Sequence, residues 1–343
     1  MIRVFVVDDS PFVRKAIRRV LATDPEMRVV GEAATGVEAL ARLSAAEPDV
    51  VTLDIEMPGM NGIEVLRRLL EWRPGLRVIM LSAHTGTGAE ATLEALAAGA
   101  ADFIDKQSLN LMDLDRLGRE LRDRIRMLGG PHRPKAPPPG LPETPAIDLT
   151  RAELCVIGAS TGGPAAIQLL LEGLPADFPM PMAIVQHMPV GFTRPFAERL
   201  NGLCELRVRE AVQGERLQAG QVVIAPAGQH LTLSSSLAVT LSTEPRNQRH
   251  TPSVDLLFSS AARACPGRVL GILLTGMGED GAAGLGLIRA SGGITIAESE
   301  QSCAVYGMPR VAVERGAVEH SLSLPAIAAT LGGLRCEKVS SKQ

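Results

Sequence analysis

Residues 154–164 read Leu154-Cys155-Val156-Ile157-Gly158-Ala159-Ser160-Thr161-Gly162-Gly163-Pro164, an apolar strand that runs straight into a glycine-rich turn carrying a serine. Gly158 to Gly162 satisfy the G-x-S-x-G pattern, whose glycines let the backbone turn sharply enough to raise a serine hydroxyl above a sheet edge. Pro164 to Leu171 suit a helix, because proline is tolerated in a first turn. Backbone N–H groups near Thr161 to Gly163 are therefore expected to point at whatever Ser160 attacks, which is half of an oxyanion hole. Two blander readings share these residues. Gly158 and Gly163 match the first and third glycines of G-x-G-x-x-G, but Ser160 replaces the middle one. The next apolar strand, Met182 to Val185, then ends in Gln186-His187 where a ribose-binding acid would be wanted. A plain strand–helix turn is the other reading.

At 343 residues the chain is long enough for two domains, each with its own core. The net charge is −3 and aromatic residues make up 3%, so nothing asks for nucleic acid as the main partner. No apolar run reaches membrane-spanning length, and Met1 to Val7 ends in Asp8-Asp9 rather than in a cleavage site, so no signal segment or membrane insertion is expected. The five cysteines are odd in number and lack C-x-x-C spacing, which indicates neither a disulfide framework nor a structural zinc site. A reducing, cytoplasmic setting follows.

Upstream of the serine turn, strand-length apolar runs at 2–7, 50–53, 77–82 and 102–104, with a shorter one at 27–31, alternate with helix-like segments at 11–22, 36–46, 60–71, 87–98 and 110–128. That alternation predicts a parallel sheet with helices on both faces, and ligands at the carboxyl ends of its strands. The chemistry collects at those ends. The first strand finishes in Asp8-Asp9, the third in Asp54, the fourth in Ser82, and Lys106 follows the fifth. Three gathered carboxylates repel one another unless a hard cation neutralises them, and magnesium suits such a pocket. A lysine and a hydroxyl opposite can hold the oxygens of a phosphoryl group placed on one aspartate.

This constellation resembles the receiver domain of bacterial response regulators, over the whole of residues 1–128. The likeness includes Met57-Pro58-Gly59-Met60-Asn61-Gly62 after Asp54. It implies a doubly wound (βα)5 fold, phosphorylation of Asp54 by a sensor histidine kinase, and magnesium held by Asp8, Asp9, Asp54 and the carbonyl of Glu56. Ser82 and Lys106 would sense the phosphoryl group, with Phe103 at the aromatic switch position. Gln107 departs from the family, which usually has proline after the lysine.

From Gly129 to Pro145 the composition is that of an extended, semi-rigid spacer, Gly- and Pro-rich with His132 among its few polar residues, and the linker is placed at 129–147. Strand-like runs recur at 154–158, 182–187, 221–225, 231–233, 237–241, 269–274 and 293–297, with helices near 164–171, 193–200, 253–263 and 281–290. This predicts a second doubly wound, mostly parallel α/β domain over 148–335, in which a hairpin-like section from Gln221 to Leu241 interrupts the parallel order, and a tail at 336–343. A nucleophilic serine needs a base, and His187, His230 and His250 are the candidates. His187 ends the strand beside that of Ser160 and is favoured by position. The orienting carboxylate is expected in Leu273-Leu274-Thr275-Gly276-Met277-Gly278-Glu279-Asp280-Gly281, where Asp280 is the best candidate. Asp280 could equally cap the helix after it, and Glu279 and Asp255 are weaker alternatives.

The second domain resembles the catalytic domain of the chemotaxis protein-glutamate methylesterases, and the two domains together match that family along nearly the whole chain. The likeness rests on Gly158 to Gly163, on Gln186-His187-Met188-Pro189 with Gly191-Phe192-Thr193, and on Thr275 to Gly278 with Asp280-Gly281. It implies Ser160 as nucleophile, His187 as general base and Asp280 as its orienter, with Thr161 and Met277 lining the site. It also implies hydrolysis of glutamate methyl esters on the cytoplasmic domain of chemoreceptors, deamidation of certain glutamines, and no cofactor for the esterase. An unphosphorylated receiver would inhibit that activity. A phosphorylation-dependent adaptor with an idle triad and a nucleotide-binding regulator are the readings from other classes.

Overall fold

The structure, a computed structural model, describes residues 1–82, 86–106, 114–130 and 147–334. Gln107, His132, most of the proline-rich spacer and the 336–343 tail lie outside the described residues. The chain forms two compact units, Met1–Arg133 and Pro134–Gln343.

The first unit alternates strand and helix throughout: β1 (Ile2–Val7), α1 (Pro11–Leu21), β2 (Met27–Ala33), α2 (Gly36–Ala46), β3 (Val50–Asp54), α3 (Gly62–Trp72), β4 (Arg77–Ser82), α4 (Gly86–Ala97), β5 (Asp102–Asp105) and α5 (Leu114–Gly129). Its five strands are all parallel in the order β2-β1-β3-β4-β5. Val4 to Val7 and Val50 to Leu53 are wholly buried, as strands covered on both faces must be. Helix starts follow local chemistry. Ser10, Thr35 and Asn61 cap α1, α2 and α3 by accepting the N–H of Val13, Glu38 and Glu64. Asn61 also explains why α3 begins two residues later than its apolar pattern suggests. Gly62 then lies against the backbone of Asp54, where any Cβ would strike the Asp54 carbonyl. The strand order reverses between β1 and β3, which opens the crevice at Asp8 and Asp54.

The second unit contains β6 (Leu154–Ala159), α6 (Gly163–Glu172), β7 (Met182–Gln186), α7 (Thr193–Leu203), β8 (Arg207–Glu210), β9 (Gln221–Ile224), β10 (His230–Leu233), β11 (Val239–Ser242), α8 (Val254–Ala264), β12 (Val269–Leu273), α9 (Ala282–Ala290), β13 (Ile294–Glu298), α10 (Met308–Glu314), β14 (His320–Leu322) and α11 (Leu324–Gly332). Seven strands form one sheet, β14-β13-β12-β6-β7-β9-β8, and every neighbouring pair in it is parallel. The expected interruption over Gln221 to Leu241 is therefore too broad. Buried Val222 to Ile224 belong to the main sheet, and among the described strands β10 and β11 alone pair antiparallel, as a separate ribbon. Pattern reading also misses β8, β14, α10 and α11. β8 is an edge strand of sequence Arg-Val-Arg-Glu, whose charges hide the alternation, and β14 is three residues long.

α8 and α9 pack closely on one another, each bringing apolar residues such as Phe258 and Leu285 into one buried cluster with Val156 and Leu273 of the sheet. Gly284 sets their separation: a Cβ there would lie 2.6 Å from Phe258 Cβ and 2.9 Å from the Asp255 carbonyl. A Gly284→Val chain is expected to lose roughly 1–3 kcal/mol through this overpacking, measured as a lower urea midpoint with an unchanged slope.

Candidate active site

Ser160 stands directly after β6, on the strand next to the point where the sheet order reverses toward β12. Its N–H donates to the Thr275 carbonyl at 3.1 Å, and its own carbonyl accepts Gly163 N–H at 2.8 Å and Gln186 Nε2 at 2.8 Å. The turn needs glycine at two positions. Gly162 has φ +77°, and a Cβ on Gly163 would run into Gln186 Oε1. The bond from Gly163 N–H to the Ser160 carbonyl corrects the expected oxyanion donors. That group closes the turn, so of the span Thr161 to Gly163 the last member does not face substrate. It also removes a donor that a pyrophosphate would need.

β7 lies beside β6 with Ala159 opposite Gln186, so His187 emerges next to Ser160, and its N–H donates to the Ala159 carbonyl at 3.1 Å. His187 Nε2 is 2.9 Å from Asp280 Oδ2. Nδ1 is buried and makes no hydrogen bond among the described residues, which leaves it as the ring nitrogen available to a proton. The other two histidines separate clearly. His230 is buried, accepts Ser253 N–H at Nδ1 and faces the Pro245 carbonyl with Nε2, so it is a structural pin. His250 stacks on His187, ring centroids 4.2 Å apart and planes 15° from parallel. Its polar loop gave no signal of that contact.

Asp280 is held from four directions. Besides His187, its carboxylate accepts Ser253 Oγ at 3.0 Å, Val254 N–H at 2.8 Å and Asp255 N–H at 2.9 Å, all at the amino end of α8. Burial alone would raise its pKa. The His187 hydrogen bond and charge outweigh it, with the Asp255 and Val254 N–H groups, and bring the value down to about 2. Asp280 therefore does cap a helix, but α8 rather than the α9 that follows it. Asp255 returns the arrangement by accepting Gly284 N–H at 2.7 Å in α9. Glu279 points outward to Arg315. Thr161 is buried, its carbonyl accepting Thr275 Oγ1 at 2.9 Å, and Met277 is half-buried between Gly276 and Gly278.

In the first unit Asp8 and Asp54 are buried and Asp9 exposed, with one oxygen of each within 4.8 Å of the others. Lys106 Nζ lies 2.9 Å from Asp8 Oδ2 and 2.6 Å from Asp54 Oδ2. Burial raises both buried carboxyls against the pull of Lys106, Asp54 to about 6. Glu56 N–H donates to Asp54 Oδ1 at 3.1 Å. Ser82 Oγ reaches the Gly88 carbonyl at 3.3 Å and accepts Thr92 Oγ1 at 2.6 Å, and Phe103 is buried.

An acidic pocket thus stands at the strand ends of one parallel sheet, and a serine, a histidine and a carboxylate at those of another. Family models described as CheB methylesterase and response regulator receiver domain match residues 155–331 and 4–116. The chain is 44% identical over 339 residues to protein-glutamate methylesterase/protein-glutamine glutaminase 5 of Myxococcus xanthus, covering 96% of this chain and 97% of that one. It is 44% identical over 335 residues to the protein of the same activities from Halalkalibacterium halodurans, covering 95% and 96%. The crystal structure of the Thermotoga maritima CheB methylesterase catalytic domain superposes with a TM-score of 0.51 at 38% identity, over 53% of this chain and 97% of that one. The chain belongs to the CheB methylesterase family.

Asp280 has a lowered pKa in the folded state, so its contribution to stability is complete above its unfolded value near 3.8 and is lost as pH falls toward about 2. Asp280→Asn is expected to lower stability by on the order of 1–2 kcal/mol at pH 7. Urea melts at a series of pH values should show that deficit shrinking once the medium falls below the unfolded pKa.

Proposed function

We propose that the chain removes methyl groups from glutamate methyl esters of chemoreceptor cytoplasmic domains, releasing methanol, and deamidates glutamines there, in the cytoplasm. The observation that supports this most is the His187–Asp280 pair at 2.9 Å on the strand adjoining Ser160. Ser160 Oγ attacks the ester carbonyl while His187 Nδ1 takes its proton, and Asp280 fixes the tautomer through Nε2–H and stabilises the imidazolium. Backbone N–H groups of the turn that precede Gly163, whose own N–H is taken by the Ser160 carbonyl, face the developing oxyanion. Return of the proton to the methoxy oxygen expels methanol, and water then cleaves the acyl-enzyme by the same route. Glutamine follows the same path with ammonia leaving. Because Asp280 stays ionised down to about pH 2, it orients His187 across the whole physiological range.

In the receiver, Asp54 accepts a phosphoryl group from a sensor histidine kinase. The hard oxygens of Asp8, Asp9 and Asp54 fit a magnesium ion, for which the family resemblance adds the Glu56 carbonyl as a ligand, and when bound the ion would supply the counter-charge that phosphoryl transfer needs. Lys106 and Ser82 then read the phosphoryl oxygens, Ser82 by leaving the Gly88 carbonyl, and Phe103 repacks. Phosphorylation relieves inhibition of the esterase. The proline-rich spacer supports this, since it keeps the two units at an effective concentration on the order of millimolar.

Ser160→Ala and His187→Ala are each expected to lower methanol release from methyl-labelled receptor by about 10⁴-fold or more. A folded Ser160→Ala chain with most of its rate would exclude Ser160 as nucleophile, and receptor binding without any methanol release would favour the adaptor. A phosphodonor with magnesium is expected to label the wild-type chain and not Asp54→Asn. It should accelerate the full chain but not a fragment starting at Ile147, which should already exceed the unphosphorylated chain in rate. A fragment no faster than the intact chain would rule out inhibition by the receiver.

A further inference from the structure

β13 ends in Glu298, a carboxyl with no exposed surface and no Lys or Arg paired with it among the described residues. Nothing in the reaction uses it. Its Oε2 accepts Thr275 N–H at 2.8 Å, while Oε1 is buried and makes no hydrogen bond of ordinary geometry among the described residues. The strand ladder explains the first contact. Pairing of β12 with β13 stops at Leu273 and Ala297, and the last bond from this segment to β6 is Leu274 N–H to the Gly158 carbonyl at 2.9 Å. Thr275 N–H lies past both ladders, buried, and needs an acceptor that no strand offers. The Glu298 side chain is that acceptor.

Thr275 is in turn the clamp on the nucleophile turn. Its carbonyl takes Ser160 N–H at 3.1 Å, its Oγ1 donates to the Thr161 carbonyl at 2.9 Å, and the same oxygen accepts Val305 N–H at 2.9 Å. Two consecutive residues of the turn are thus tied to one threonine whose N–H is tied to Glu298. We propose that Glu298 is a positioning residue for Ser160, acting through Thr275 by one accepted hydrogen bond that a glutamine side chain can supply equally. This rests on Ser160 being the nucleophile of the reaction above. A buried carboxyl without a cation favours its neutral form, and burial does push Glu298 upward against the Thr275 N–H and the nearby Ser302 and Cys303. A neutral acid and an amide accept alike, whereas an apolar side chain would leave the Thr275 N–H buried and unmet.

The test uses the full chain with Glu298→Gln, Glu298→Asp and Glu298→Leu. Heat melts report folding, methanol release from methyl-labelled receptor gives kcat and KM, and amide hydrogen exchange follows peptides covering residues 158–163 and 274–278. Glu298→Gln should stay within about twofold of wild type in kcat and in exchange at both peptides. Glu298→Leu should lose about tenfold or more in kcat with KM within about twofold, and should exchange faster at both peptides while the β9 peptide is unchanged. Glu298→Asp, with its acceptor drawn back by one methylene, should fall between them and carries the test if the leucine variant does not fold. A folded Glu298→Leu or Glu298→Asp chain with wild-type kcat and exchange overturns the proposal, as does a normally melting Glu298→Gln chain that loses as much as Glu298→Leu. The exchange readout needs no receptor. If wild type released no methanol while exchange still followed residue 298, the ester reading would fall and the positioning role would stand.

Discussion

The carboxylate of Asp280, seated on the first turn of α8, is the contact on which the catalytic unit depends. A buried carboxylate is costly unless its oxygens are met, and here two backbone N–H groups, the Ser253 hydroxyl and His187 meet both. The donors belong to a helix end that would otherwise carry orphan N–H groups, so the same bonds cap α8 and keep Asp280 charged. Asp255 mirrors this by capping α9 from α8. The starts of α8 and α9 are thus each capped by a carboxylate from the neighbouring segment. His230, through Ser253 N–H, ties the β10–β11 ribbon into the same junction.

Both units place their reactive groups where the order of a parallel sheet reverses, because only there do neighbouring strand ends diverge enough to leave a crevice. The two crevices then treat aspartate in opposite ways. Asp54 has burial and the Asp8 charge against it and Lys106 and the Glu56 N–H for it, and its pKa rises to about 6. Asp280 is also buried, but hydrogen bonds outweigh desolvation and its pKa falls to about 2. The difference lies in the donors, since Asp280 meets three from the start of α8 besides His187, whereas Asp54 meets Lys106 and one backbone N–H.

The nucleophile turn shows how little of such a site is made by the nucleophile itself. Ser160 is fixed through its backbone, by Thr275 on one side and by Gln186 and Gly163 on the other. Gly276 must lack a side chain because a Cβ there would sit 2.8 Å from Ser160 Cβ. The carbonyl of Gly276 accepts Gly307 N–H at 3.1 Å and Met308 N–H at 2.8 Å, so the start of α10 steadies the β12 loop. Both backbone groups of Ser160 are thereby engaged in holding the turn.

The alternation of apolar runs with helical periods determined the first parallel sheet and the inner strands of the second, and the strand ends singled out the candidates: Asp8, Asp54 and Lys106 in one unit, Ser160, His187 and Asp280 in the other. That much is legible because a buried parallel strand must be apolar, and because its carboxyl end is where polar residues can face a ligand. Tertiary structure decided the rest. It decided that Asp280 caps α8 rather than its own helix, that Gly163 N–H closes the turn, that His250 covers His187, and that Glu298 meets Thr275. Apart from the local Gly163 bond, each of these is a contact between residues far apart in sequence, and a side chain's partner is set by which elements pack together. Local pattern records what a segment will become, not what it will touch.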